Sequence, residues 1–188
     1  MKILLASKSP RRRELLAGLG IPFEIVDIEF EEYYPATLSE GDIPLFIARG
    51  KSAAFMHPLM DDEVLLTADT IVWLDGTVLG KPSDEADAVR MLQQLSGRTH
   101  QVYTGVCLRY AKGEKCFVSR TDVTFRNLNN EDIHRYVEEH HPLDKAGAYG
   151  IQEWIGYMGC IAINGSFYNV MGLPTAALWQ ALQEIDVK

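Results

Sequence analysis

Apolar positions recur along the chain at two spacings, and those spacings predict the elements. Residues 2–6, KILLA, read as a short buried strand. Ser9 and Pro10 then suit the N-cap and first position of a helix that Gly18 or Gly20 would stop. FEIVDIEF, residues 23–30, alternates and predicts a second strand. After the acidic-aromatic stretch EEYYP, Asp42 and Pro44 open a helix, IPLFIARGKSAAFM, that carries Lys51. VLLTADTIVWL is a strongly apolar strand, and Asp75-Gly76 marks a tight hairpin into TVLG. GKPSDEADAVRMLQQLSG predicts a loop, then a helix capped near Ser83 and ended by Gly97.

Two long strands follow, HQVYTGVCLRY and KCFVSRTDVTFRNL, joined near Lys112-Gly113. NEDIHRYVEEH is a short helix, DKAGAYGIQ a glycine-rich stretch, and CIAINGSFYNV a hairpin around Asn164-Gly165. Pro174 opens a last helix, TAALWQALQEI. Helices mixed with strands and antiparallel hairpins predict an α/β fold. The 188 residues predict one domain, 1–188, with room for two lobes.

Composition narrows the function classes. A hydrophobic share of 47% supplies a globular core. A formal net charge of -8 argues against a general nucleic-acid or membrane-surface binder. No apolar stretch is long enough to span a bilayer, and four apolar residues before Ser7 make no signal peptide, so the expected location is cytoplasmic. Cys107, Cys116 and Cys160 show no CxxC or metal spacing. They predict reduced thiols rather than a disulfide framework or a zinc site.

Against that acidity, Arg11, Arg12 and Arg13 stand out at a helix start, where the helix dipole disfavours positive charge. At about 100° per residue, Arg12 shares the stripe of Leu15, Leu16 and Leu19. Arg11 lies at the edge of that stripe and Arg13 points away. An inward guanidinium at a helix N-terminus, beside the end of the preceding strand, suits an anion such as phosphate. Arg13 fits a surface ion pair.

Asp69 lies inside an apolar strand, TADTIV, where a carboxylate needs a cation, a metal or hydrogen bonds. Lys51, Lys81 and a divalent ion are candidates. Strict pairing through Asp75-Gly76 puts Lys81 opposite Thr70, on the face away from Asp69, unless a bulge near Gly80 intervenes. A structural aspartate and a catalytic acid/base are equally compatible with the local pattern. Glu29, Glu31 and Glu32 read as a solvated charge run, and Asp84 and Asp87 serve a helix dipole. His57, His100, His134, His140 and His141 lack metal spacing and default to the surface. There is no GxxxxGK[ST] and no GxSxG.

The stretches ASKSPRRRELL, ARGKSAAF, ADTIV, GKPSDEADA, LSGRTHQVYTGV, DKAGAYGIQ and INGSFYNVMGLP are collinear and cover nearly the whole chain. Together they resemble the Maf family of nucleoside-triphosphate pyrophosphatases, also called septum-formation inhibitors. The resemblance implies an elongated mixed sheet with flanking helices, two lobes around a deep cleft, in a Maf/ITPase-like fold often found as a dimer. It implies hydrolysis of a nucleoside triphosphate between the α- and β-phosphates, with Mg²⁺ or Mn²⁺. Ser7, Arg11, Arg12, Lys51 and Lys81 would bind the triphosphate, and Asp69 would accept the water's proton. An acidic residue of EFEEYYP would join the site and, with Asp69, any metal: Glu31 by choice, Glu32 as alternative. Arg11, Thr70 and Gln152 fall at positions governing base preference, and DKAGAYGIQ resembles the dTTP/UTP subgroup. The older family name leaves an alternative, a non-catalytic nucleotide-binding regulator of septum formation.

Overall fold

A computed structural model describes residues 1–185, so the last three residues of the expected domain lie outside the described residues. The chain is an α/β protein with a seven-stranded sheet, β1 Lys2–Leu5, β2 Phe23–Ile25, β3 Glu63–Leu74, β4 Thr77–Leu79, β5 Thr99–Tyr110, β6 Gly113–Phe125 and β7 Cys160–Asn164. Its order is β2-β1-β3-β5-β6-β7, with β4 on β3. The helices are α1 Pro10–Gly18, α2 Asp42–Ala54, α3 Glu85–Leu95, α4 Asn130–His140, α5 Trp154–Gly159, α6 Phe167–Met171 and α7 Thr175–Gln183. The chain divides into two compact units. The first comprises residues 1–70, 104–119 and 172 onward, and the second comprises 71–103 and 120–171.

In the first unit, β1 pairs in parallel with both β2 and β3, Leu4 opposite Glu24 on one side and Leu65 on the other. Both edges of β1 are thus paired, and Ile3, Leu4 and Leu5 are buried, as on a parallel strand whose faces are both covered. The second strand is shorter than the alternation of FEIVDIEF predicts. β1 ends at Leu5, whose carbonyl takes the Val26 N–H at 3.1 Å, and the chain then departs into α1. Residues beyond Val26 therefore have no strand edge to pair with. Val26 and Ile28 instead pack on Leu4, Ala6, Phe55 and Leu65.

The helix α2 lies close over β5: a Cβ on Gly105 would come within 2.4 Å of the Pro44 carbonyl carbon and the Leu45 nitrogen. Thr67 of β3 donates to the Ala48 carbonyl at 2.7 Å, a second tie between α2 and the sheet. At the β5–β6 hairpin the expectation of three free thiols fails, because Cys107 and Cys116 are joined as a disulfide. The connection is two residues, Ala111 and Lys112, so counting from Tyr110 and Gly113 puts Cys107 opposite Cys116. Cross-strand pairing, rather than sequence spacing, brings the sulfurs together.

In the second unit, Asp75 and Gly76 take φ of 47° and 82°. Two successive left-handed residues make the tight turn that the Asp-Gly step predicts. β4 pairs Val72 with Leu79 and stops there, leaving Gly80 and Lys81 outside the strand. The cap of α3 is Asp84, next to Ser83 as expected. Asp84 Oδ1 accepts from Asp87 N at 2.8 Å while Asp87 Oδ2 accepts from Ser83 N, one residue before the cap, at 3.1 Å.

Asn164-Gly165 does not lead into a second hairpin arm. Gly165 turns at φ 129° into α6, held there by Asn169, whose Nδ2 donates to Val102 O at 3.1 Å and to Thr121 Oγ1 at 3.0 Å. His100 is a core residue rather than a surface one. It is fully buried, with Nε2 2.7 Å from the Tyr149 hydroxyl and its ring edge-on to Phe125. A further polar cluster draws on DKAGAYGIQ: Lys145 Nζ lies 3.1 Å from Glu153 Oε1, and the Tyr136 hydroxyl donates to the same carboxylate.

Candidate active site

Predicted site residues of the first unit come from the loop after β1, from α1, from α2 and from β3. β1 runs into the SKS loop, with Ala6 N–H bound to Leu66 O at 3.0 Å. Ser9 is the N-cap of α1 in extended conformation, and Pro10 occupies the first turn, as the sequence predicts. Leu15 and Leu16 are buried on the inner face of this helix.

Arg12, on the same face, reaches inward. Its Nε donates to Gly172 O at 2.8 Å, Nη2 to Thr70 Oγ1 at 3.0 Å, and Nη1 to Ser7 Oγ at 3.4 Å. The Thr70 hydroxyl is in turn 2.9 Å from the hydroxyl of buried Thr104. Three neighbours thus hold one guanidinium, and Thr104 holds one of the three; Gly172 has φ 113°, a conformation that favours glycine. Burial pushes Arg12 below its ordinary value, and the charge of Arg11 adds to that, while Asp69 and Glu32 pull it back. Arginine remains charged under such opposing influences. Arg13 is half-buried. Its Nε is buried with no hydrogen-bond partner among the described residues.

Asp69 is 9% exposed on β3, and the cation that meets it is Lys51 of α2, with Nζ 2.8 Å from Oδ1. The same Nζ is 2.6 Å from Glu32 Oε1. A lysine bridging two carboxylates can satisfy both only where the chain brings them to one point. For Glu32 that placement comes from its neighbours. A Cβ on Gly50 would lie 2.4 Å from the Phe30 ring, and Tyr33 meets Phe46 edge-on at 5.8 Å between centroids. Phe30 and Tyr33 seat the loop on α2, and Glu32 between them turns to Lys51. The alternative, Glu32 rather than Glu31, is therefore the carboxylate that joins Lys51 and Asp69.

Burial raises the Asp69 pKa, Lys51 and Arg12 oppose the rise, and Glu32 adds to it. The outcome is a carboxylate above its ordinary range beside two cations, the environment in which acids and bases of catalysis are tuned. Lys81 and Gln152 belong to the second unit. Lys81 is exposed beyond β4, and Gln152 sits in the turn before α5 with its Oε1 buried and unpartnered among the described residues. Sequence reasoning missed Thr104 and the Gly172 carbonyl. The motif stretches that contain them, HQVYTGV and VMGLP, carried the only signal.

Among the described residues, the His, Cys, Asp and Glu side chains grouped closely enough to share an ion in threes are Cys107, Glu114 and Cys116, a set without Asp69. Asp69 and Glu32 each place one oxygen on Lys51 Nζ, and their carboxylates are hard oxygen donors, the chemistry that Mg²⁺ and Mn²⁺ take.

The profile of the family described as "Maf-like protein" matches residues 2–185. A protein of Phocaeicola vulgatus named "dTTP/UTP pyrophosphatase" is 53% identical over 185 residues, covering 98% of this chain and 96% of that one. Proteins of the same name from Bacteroides fragilis and Porphyromonas gingivalis are each 50% identical, covering 98% and 97% of this chain and 96% and 94% of their own lengths.

Proposed function

This chain belongs to the Maf family, and on that premise we propose that it hydrolyses nucleoside triphosphates, dTTP and UTP foremost, into the nucleoside monophosphate and pyrophosphate. The names of its relatives support the substrate class. The observation that carries the chemistry is Asp69, a buried carboxylate of raised pKa held between Lys51 and the charge of Arg12.

In this reading Asp69 takes a proton from the water that attacks the α-phosphorus. Its raised pKa makes it a stronger acceptor than an exposed aspartate. Lys51 orients the Asp69 and Glu32 carboxylates toward one point and neutralises part of their charge. Arg12, prepositioned by Ser7, Thr70 and Gly172, offers its guanidinium to phosphate oxygens, with Arg11 beside it. Positioning and charge neutralisation supply most of the catalysis in phosphoryl chemistry.

Asp69 and Glu32 are the residues that would hold Mg²⁺ or Mn²⁺, which when bound neutralises charge on the phosphate oxygens. A panel of nucleoside triphosphates with Mg²⁺, scored for pyrophosphate against orthophosphate, tests the reading. Pyrophosphate release with the highest kcat/KM for dTTP and UTP is expected. Exclusive orthophosphate release refutes the bond assignment, and absence of turnover refutes the enzyme.

A further inference from the structure

The β5–β6 hairpin carries chemistry that the hydrolysis leaves unused. Cys107 on β5 is fully buried and Cys116 on β6 is partly exposed; the two sulfurs are joined, with Cα atoms 4.2 Å apart. Glu114 lies two residues before Cys116 and so shares its face of the strand. Its Oε2 is 3.6 Å from Cys107 Sγ, and its Oε1 is 3.5 Å from Nε of Arg49. Arg49 sits on α2, two residues before Lys51. One carboxylate therefore touches both the sulfur pair and the helix that bears Lys51.

We propose that Cys107 and Cys116 are a site of reversible thiol–disulfide exchange in the folded protein, with low-molecular-weight thiols and disulfides as reactants and Cys116 as the sulfur they reach. Exposure decides the direction of attack. Cys107 has none, so an incoming thiolate meets Cys116 Sγ. The new bond joins the thiol to Cys116, the Sγ–Sγ bond breaks, and Cys107 leaves as a thiolate that takes a proton from solvent. A second thiolate attacks the outer sulfur of the mixed disulfide, releasing the Cys116 thiolate and a small-molecule disulfide. Two thiols thus supply the two electrons that reduce the protein disulfide, and the small-molecule disulfide reverses the sequence.

The surroundings suit both states. The Cα separation is a spacing that antiparallel pairing itself sets, so opening the bond asks for no strand movement. The reduced Cys107 thiol has Glu114 Oε2 as its acceptor, and the positive Arg49 offsets the charge of that carboxylate and of a transient thiolate nearby.

The test equilibrates the full-length protein without oxygen in buffers rich in either reduced or oxidised glutathione. Thiols are then trapped by alkylation and located by mass spectrometry. In oxidised buffer, loss of alkylation at Cys107 and Cys116 together is expected, with Cys160, free in this structure, labelled throughout as the internal reference. In reduced buffer all three should label once unfolded, and return to oxidised buffer should restore the pair while circular dichroism stays unchanged. Cys116→Ser, at a partly exposed position that tolerates the change better than Cys107, should abolish the paired loss. Equal labelling of Cys107 and Cys116 in both buffers overturns the proposal. So does a disulfide that resists excess reduced glutathione until urea unfolds the chain.

Discussion

Asp69 and Lys51 meet at 2.8 Å because a strand and a helix each place one charged residue on the surface they share. Replacing Asp69 with Asn keeps the shape and removes the carboxylate proposed as the proton acceptor. The expected outcome is a folded variant with kcat lowered about 10²–10⁴-fold at saturating nucleotide and Mg²⁺. Circular dichroism checks the fold, and near-normal kcat would remove Asp69 from the role of base.

Much of this cluster was legible one residue at a time. The 3.6-residue period picked Arg12 over Arg13 as the inward guanidinium, and a carboxylate inside TADTIV had to find a cation. What the period left open were partners set by distant backbone. Glu32 rather than Glu31 turns to Lys51 because Phe30 packs on Gly50, a contact between residues that no local pattern links. A carbonyl such as that of Gly172 leaves no trace in side-chain chemistry at all.

Among the elements, α2 matters most, since it carries Lys51 and is seated against β5 at Gly105. Gly105→Ala would drive a methyl group into the backbone at Pro44 and Leu45, which cannot swing aside as a side chain can. The variant should lose about 1–3 kcal/mol of stability in urea titration, the usual cost of overpacking. It should also lose activity, because α2 shifts with its lysine. Gly113→Ala, where a Cβ would meet nothing nearer than the Tyr110 side chain at 3.7 Å, is the control and should stay within about 0.5 kcal/mol of wild type. Equal behaviour of the two variants would show that the close approach at Gly105 is not limiting.

Element types were readable from the sequence wherever a run was long and its period clean, as in α3, β3 and the β5–β6 pair. They failed where a local signal competed with tertiary contacts. Asn164-Gly165 has hairpin chemistry, yet Asn169 and Thr121 draw the chain into α6. The six residues of α5, two of them glycine, are too few to show a period.

At the scale of the whole molecule, His100 ties stability to pH. Burial lowers its pKa from 6.5 to about 4, with a small opposing pull from Asp122. The unfolded chain therefore binds a proton between those values that the native protein does not. Stability contributed by the neutral ring is fully present above pH 6.5 and is lost as pH falls toward 4, by up to about 3 kcal/mol. Asp69, with its pKa raised, acts in the opposite sense, since its protonation in acid relieves a buried charge. Urea midpoints measured from pH 7 to pH 4 should fall in the wild type and fall less in His100→Gln. Parallel curves would mean that His100 is not the group responsible.

The hydrogen bond from Arg12 to the Gly172 carbonyl spans 160 positions of sequence. A ribosome makes the arginine 160 residues before it makes the carbonyl. Throughout synthesis the nascent chain displays the guanidinium without the group that aims it, even after Lys51, Asp69 and Thr70 have emerged. An aimed guanidinium therefore belongs to a chain that has grown past residue 172, and a chain truncated before it would carry Ser7, Arg12, Lys51, Asp69 and Thr70 yet lack the anchor that orients its arginine.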